Sequence, residues 1–260
     1  MPRKLLQITD CHLGESEGER LVGLNTDESL GYVLQHMLAE HQTADLLVCS
    51  GDLSNEAGSA AYQRLQEKLP GHIPQAWLPG NHDDNRLMAE AAGEKCQFLA
   101  TVDLGRWQVT LLDSSIPQKV SGFLADAEIE RALAILQQHA DKHHIFFLHH
   151  HLKPVGCKWL DTQVVGNAEQ ALAAFAQFPQ LKLIVNGHVH QESVRQHGHL
   201  QLLSTPSTCI QFKPNSDDFA LGDEMPGYRW FELFDDGSFA TGVSRIDERP
   251  LTLDHSAHGY

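Results

Sequence analysis

Apolar, β-branched runs recur along this chain, and each stops abruptly in a polar cluster. "KLLQIT" (4–9) runs into "DCH", "DLLVCS" (45–50) into "GD", "QAWLP" (75–79) into "GNHDD", "HIFFL" (144–148) into "HHH", and "LKLIV" (181–185) into "NGHVH". Short apolar runs bounded by turn-forming residues predict buried strands that end in loops. Apolar residues at helical spacing predict helices over 26–41, 56–69, 124–140 and 167–178, the first capped by Thr26 or Asp27. Segment 98–113 predicts a hairpin turning near Gly105. From about residue 193 the pattern changes: "HLQLLSTPSTCIQF" and "YRWFELFDDGSFATGVSRI" predict antiparallel strands, with Asp235-Asp236-Gly237 as a turn. No repeat, linker or low-complexity stretch divides the chain. Alternating strands and helices followed by a strand-rich end predict one α/β domain over residues 1–260 with two stacked sheets.

Composition narrows the picture. A hydrophobic share of 42% supplies a core, and 20% charged residues is ordinary for a soluble chain. No apolar run approaches the ~20 residues of a membrane span. The opening "MPRKLLQITDCH" meets Asp10 too early to be a signal peptide. Cys11, Cys49, Cys96, Cys157 and Cys209 are scattered and form no C-x-x-C pair, which points to a reduced, cytoplasmic protein. A formal net charge of -15 argues against a broad nucleic-acid surface, which needs clustered Lys and Arg. It admits a small phosphate-bearing substrate only if something local reverses the field. The 17 histidines are the other anomaly, and of these His36, His41, His139, His143, His255 and His258 read as surface.

The polar clusters carry the chemistry. They are Asp10-Cys11-His12, Gly51-Asp52, Gly80-Asn81-His82-Asp83, His149-His150-His151 and Gly187-His188-Val189-His190, each after a predicted strand. Ligands of open α/β sheets bind beyond the carboxyl ends of strands, so these clusters can converge on one edge. Asp, His and Asn without Cys form an oxygen and imidazole set suited to Fe, Mn, Zn or Co. The D-x-H and H-x-H elements suit strand ends, where residues i and i+2 project to one face. Singly, each cluster has a plainer reading. Gly-Asp is commonly a turn, a histidine run a surface patch, and Asp83 and Asp84 read as caps of the following helix. Gly80 reads as the residue that frees the backbone to turn before Asn81. Only the ordered set, at successive strand ends, outweighs these readings.

That ordered set resembles the calcineurin-like metallophosphoesterase superfamily, whose blocks run D-x-H, G-D, G-N-H-D/E, H and G-H-x-H. The resemblance spans residues 10–190 and implies a four-layer α-β-β-α sandwich with two stacked mixed sheets and a dimetal site. Carried over by position, Asp10, His12 and His190 would bind one metal and Asn81, His149 and His188 the other, with Asp52 bridging. His82 would be the catalytic histidine beside the phosphate. The substrate-binding set implied is His12, Asp52, Asn81, His82, His149 and His190. The two divalent ions are expected to be Fe2+ or Mn2+, with Zn2+ and Co2+ as further candidates. The fourth block reads "HHHLKP" where the family commonly has H-H-P-P, so spacing alone leaves His149 and His150 both eligible. The first histidine after the strand, His149, is the assignment. At finer grain, "LQITDCHL", "GLNTDESL", "AWLPGNHD", "LHHHLKPVGCKWLD", "NGHVHQE", "TPSTCIQFKP" and the terminal "GY" are similar to the bacterial class III 3',5'-cyclic-AMP phosphodiesterases.

The resemblance implies hydrolysis of 3',5'-cyclic AMP to 5'-AMP by attack of a metal-bound hydroxide, lowering intracellular cyclic AMP. Two divalent ions set against Asp10 and Asp52 leave a local charge of about +2, enough to hold a phosphodiester anion in an acidic protein. The metals lower the pKa of bound water and clamp the attacking and leaving oxygens, and His82 or a water could protonate the leaving oxygen. No G-x-S-x-G elbow and no Cys beside a paired His offers another nucleophile. Trp159 and Phe212 could cover a nucleoside or belong to the core. The rival readings are another metallophosphoesterase (a glycerophosphodiesterase or nucleotide phosphatase) and a non-catalytic scaffold. The scaffold is disfavoured because every ligand position and His82 are filled. The expected partner is a small cyclic nucleotide, with no nucleic acid and no membrane; monomer and homodimer both remain open.

Overall fold

The structure, a computed structural model, describes residues 1–94 and 96–259; Tyr260 of the terminal "GY" lies outside the described residues. β1 (Arg3–Ile8) leads through a small ribbon, β2 (Arg20–Leu21) and β3 (Leu24–Asn25), to helix α1 (Thr26–Glu40). Then come β4 (Leu46–Ser50), α2 (Ser59–Lys68), β5 (Gln75–Leu78), α3 (Asn85–Ala92) and β6 (Cys96–Phe98). The hairpin β7 (Thr101–Leu104) and β8 (Trp107–Leu111) follows, then α4 (Asp126–Gln138), β9 (His143–Leu148), α5 (Lys158–Asp161), α6 (Ala168–Phe175) and β10 (Leu181–Asn186). Four strands come last: β11 (Ser193–His197), β12 (Leu200–Ser204), β13 (Gly227–Leu233) and β14 (Phe239–Arg245).

These strands make two six-stranded sheets, in the orders β14-β13-β1-β4-β5-β6 and β11-β12-β10-β9-β8-β7. Both are mixed. β1, β4, β5 and β6 run parallel, as do β8, β9, β10 and β12, while β13, β14, β7 and β11 add antiparallel edges. Successive residues of a strand face opposite sides of its sheet, and here both sides are buried. Leu5, Val48 and Leu78 of the first sheet pack on Phe147, Val185 and Leu203 of the second. On the outer faces, Leu6, Cys49 and Trp77 pack on Val33, Met37, Tyr62 and Met88 of α1–α3. Phe146, Leu148 and Ile184 pack on Ile129, Leu136, Leu172 and Phe175 of α4 and α6. The result is the four-layer α-β-β-α sandwich, and it explains why the parallel strands read as unbroken apolar runs.

Several local expectations change. Asn25, not Thr26 or Asp27, caps α1: its Oδ1 accepts the Glu28 N–H at 3.1 Å. Asp27 instead pairs with Arg64 at 2.8 Å. The hairpin turns at Gly105, with φ +79°, as expected. The strand expected over "HLQLLSTPSTCIQF" stops at Ser204 and pairs antiparallel only with β11, being parallel to β10. From Thr205 the chain leaves the sheet and threads past the site, where the Ser207 hydroxyl donates to the Asp10 carbonyl at 2.7 Å.

Candidate metal centre

The C-terminal ends of β1, β4 and β5 in one sheet meet those of β9 and β10 in the other, and the five polar clusters arrive together. Asp10, His12 and His190 offer ligand atoms within 4.8 Å of one another, as do Asp10, Asp52 and His149. His12 Nε2 lies 3.3 Å from His190 Nε2, and His190 Nε2 lies 3.3 Å from Asp10 Oδ1. Asp52 Oδ2 stands 3.1 Å from His149 Nε2 and 3.7 Å from His12 Nε2. Its Oδ1 is held separately, accepting the His82 backbone N–H at 2.9 Å.

The backbone presents these side chains differently from the pleated-strand expectation. Asp10, His12, Asp52, His188 and His190 all have positive φ, between 44° and 66°. That region costs non-glycine residues of order 1–3 kcal/mol each and clusters at functional sites. The i, i+2 spacing converges the side chains, but through left-handed turns beyond the strand ends. Glycines enter for another reason too. Gly80 has no positive φ; a Cβ there would run into the Asp52 carboxylate. A Cβ at Gly187 would stand 2.7 Å from Asp10 Oδ2. The carboxylates close in where a side chain has been left out, which corrects the turning role expected for Gly80.

Asp84 caps α3 as expected, accepting the Leu87 N–H at 2.8 Å. Asp83 does not. Its carboxylate is buried and accepts the N–H groups of Gly80, Leu53 and Ser54 and the Tyr62 hydroxyl at 2.9–3.3 Å. It therefore ties the Gly51-Asp52 loop to the Gly80–His82 loop.

Second partners fix the imidazoles. His149 Nδ1 donates to the Ser50 carbonyl at 2.9 Å and His190 Nδ1 to the Ile210 carbonyl at 2.8 Å, so each turns Nε2 toward the carboxylates. His82 Nδ1 donates to the Asn55 carbonyl at 2.8 Å, and the Asn55 side chain lies 3.3 Å from His12 Nδ1. Asn55 was missed in the sequence: within "LSNEAG" nothing distinguishes it from an ordinary loop residue.

Electrostatics prepares the same set. Burial alone would raise the Asp52 carboxyl, but His149 and His82 hold it well below the usual carboxylate range. Burial drives His12 down to about 3 and, with His150 and His149 nearby, takes His188 well below its ordinary value. Burial opposes charge on His149 as well, yet Asp52 and Asp10 raise it to about 9. Neutral imidazoles and ionised carboxylates are the forms that bind metals. Within the expected ligand set, Asn81 Oδ1, His188 Nε2 and His149 Nε2 are buried without a hydrogen-bond partner, the last lying 3.1 Å from Asp52 Oδ2 and 3.9 Å from Asp10 Oδ1. Such groups are costly unless satisfied, and a cation among these oxygens and nitrogens satisfies them. The oxygen and imidazole donor set fits divalent metal ions.

His150 also lies within ligand range of His149 and His188, but it is held differently from His149. Its Nδ1 lies 2.9 Å from Ser114 Oγ and its Nε2 3.1 Å from the Val120 carbonyl oxygen, so both nitrogens are engaged away from the carboxylates. A cavity of about 290 Å³ opens from the cluster, lined by Asp52, Asn81, His82 and His188 at one end and by Val120, Trp159, Phe212 and Phe219 elsewhere. Phe212 stacks on the His190 ring at 4.1 Å, and Trp159 meets Phe212 edge-on at 4.9 Å. Of the histidines expected at the surface, His258 also reaches this cavity's wall.

A buried Asp/His cluster at the strand ends of an α-β-β-α sandwich is the layout of a dimetal phosphoesterase, and over residues 3–192 the chain matches the calcineurin-like phosphoesterase family, to which it belongs. It is a metal-dependent phosphoesterase. Its relatives include the 3',5'-cyclic adenosine monophosphate phosphodiesterase CpdA of Pseudomonas aeruginosa, 38% identical over 257 residues, covering 98% of this chain and 94% of that one. The enzyme of the same name from Escherichia coli K12 is 38% identical over 260 residues, covering 99% and 94%. Among solved structures, a dimetal phosphatase from Danio rerio shares the fold, with a TM-score of 0.65 and 14% identity over 98% of this chain and 100% of that one. Among the described residues no helix is long and apolar enough to cross a membrane.

Proposed function

We propose that this chain hydrolyses 3',5'-cyclic AMP to 5'-AMP. The observation that carries the substrate is the likeness to CpdA phosphodiesterases along nearly the whole of both chains. The cavity supports it physically, joining a polar, ligand-rich end to an aromatic wall. Asp10, His12 and His190 would hold one divalent ion and Asn81, His149 and His188 the other, with Asp52 Oδ2 lying 3.7 Å from His12 Nε2 and 3.1 Å from His149 Nε2, one from each set. When bound, the ions supply Lewis-acid polarisation of the phosphodiester and acidify water.

The chain's own residues do the rest. His12, Asp52, Asn81, His82, His149 and His190 surround the phosphate. With Nδ1 committed to the Asn55 carbonyl, His82 works through Nε2 and protonates the departing 3' oxygen. Its backbone N–H keeps Asp52 in register with it. Trp159, Phe212 and Phe219 keep water from the nucleoside end of the cavity.

The test is chromatography of products from the metal-loaded protein given cyclic AMP, a glycerophosphodiester or 5'-AMP at matched concentration. Cyclic AMP is expected to turn over fastest and to yield 5'-AMP alone, with cyclic GMP as a second substrate to compare. A 3'-AMP product contradicts the proposal, and faster turnover of the linear diester makes the enzyme a glycerophosphodiesterase.

A further inference from the structure

His150 lies within ligand range of His149 and His188, but its hydrogen bonds give it another task. The ring is fully buried, and both nitrogens engage one segment of chain. Nε2–H donates to the Val120 carbonyl, which leaves Nδ1 to accept from the Ser114 hydroxyl. The same hydroxyl oxygen accepts the His150 backbone N–H at 3.2 Å. Gly122 lies directly against the ring: a Cβ there would stand 2.5 Å from His150 Cγ and 2.7 Å from its Cβ. The Phe123 N–H closes the segment on the Ser114 carbonyl at 2.9 Å, and the Gly166 N–H donates to the Gly122 carbonyl at 2.8 Å. Residues 114–123 are thus wound round a single imidazole.

That loop carries Val120, which lines the cavity together with Trp159, Phe212 and Phe219 and is itself 51% exposed. A half-exposed apolar side chain sharing a cavity with three aromatic rings gains from being covered by a flat, largely apolar group. The phosphate end is already defined by Asp52, Asn81, His82 and His188, so the apolar part of the same cavity receives whatever is attached to the phosphate. About 290 Å³ is at the small end of ligand cavities, in keeping with a mononucleotide.

We propose that His150 is a positioning residue that holds the 114–123 loop so that Val120 forms a wall of the nucleobase site. The inference rests on the cyclic-nucleotide reading above and extends it to the base. It assigns the second histidine of the run to substrate fit, where the first serves the metals.

The test separates base from phosphate. Three variants bear on the loop: Val120→Ser removes the wall, Gly122→Ala pushes the loop off an intact His150, and His150→Ala removes the clamp. Each is measured, with metals loaded, for kcat and KM on cyclic AMP, and for inhibition by 5'-AMP and by ribose 5-phosphate, which is the same product without its base. In all three variants the KM for cyclic AMP and the inhibition constant of 5'-AMP are expected to rise on the order of tenfold, the contribution of one covered apolar side chain. The constant for ribose 5-phosphate and the metal content are expected to stay at wild-type values. Combining Val120→Ser with Gly122→Ala is expected to do no more than the stronger single change, because both act on one wall. Equal losses for 5'-AMP and ribose 5-phosphate, an unchanged KM, additive effects, or metal loss from His150→Ala would each overturn the proposal. If His150→Ala does not fold, Gly122→Ala and Val120→Ser decide it alone. Wild-type protein inert toward cyclic AMP sinks the functional reading instead, an outcome distinct from all of these.

Discussion

Asp52 divides its two oxygens between architecture and chemistry. Oδ1 accepts the His82 amide, while Oδ2 faces His149 and His12, one from each proposed ligand set. Asp52→Ala is therefore expected to empty both metal positions, as read by elemental analysis of protein purified without chelators. His82→Ala is expected to retain the metals and to lower kcat by about 10²–10⁴-fold, the usual contribution of a positioned proton donor. Equal metal loss from both variants would show that His82 is a ligand. At this scale the residue types were legible, because Asp, Asn and His after apolar runs are chemically distinctive letters. Their presentation was not. Positive φ at Asp10, His12, Asp52, His188 and His190 falls on residue types that enter that region more readily than most, but the same types are far commoner outside it, so the letters alone do not announce it. The Asp83 carboxylate, set beside Asp84 after the same strand, could not be told from a helix cap until its partners in the neighbouring loop were in view.

The loops beyond β4 and β5 behave as one element because Asp83 ties them. Asp83→Ala leaves the amides of Gly80, Leu53 and Ser54 without an acceptor, and each unmet buried donor costs about 1–3 kcal/mol. Thermal unfolding of the metal-free variant is expected several degrees below the parent, with weaker metal binding besides. An unchanged melting temperature would mean that water replaces the carboxylate. The strands these loops terminate were readable from sequence, since burial on both faces writes an unbroken apolar run. So were α1, α2, α4 and α6, where apolar residues recur at helical spacing, and α3 was expected, without bounds, as the helix after Asp84. α5 was not: four residues give too few turns for a period to emerge. Thr205–Phe212 was read as a continuation of the strand "HLQLLS", although the chain leaves the sheet at Ser204 and is buried by threading past Asp10 and His190.

For the whole molecule, the buried histidines set the pH range in which the metal-free fold persists. Burial lowers His12 to about 3 and His151 to about 4, and takes His150 and His188 well below their ordinary value. The unfolded chain protonates the same groups near pH ~6.5. Below that pH the unfolded state binds more protons, so stability is expected to fall as pH drops from about 6.5 toward 4. His149 acts in the opposite sense. Held up to about 9 by Asp52, it contributes fully below pH ~6.5 and loses that contribution as pH rises through its folded value. Urea midpoints measured in chelator across this range should peak between these limits; a flat profile would contradict the burial of these imidazoles as neutral groups. Because a metal must displace the His149 proton, affinity should rise toward pH ~9 and filling the site should release a proton, which an indicator dye detects. Metal at a hundredfold above its dissociation constant should add about 2.7 kcal/mol. The ligand-type residues come from both sheets: Asp10, Asp52 and Asn81 follow β1, β4 and β5, whereas His149, His188 and His190 follow β9 and β10. Ions seated among them are a removable staple through the sandwich, fastening chain segments remote in sequence as a disulfide would. Chelation then unfastens one margin of the molecule while the opposite margin stays shut, and amide exchange should quicken first where β1 and β10 end.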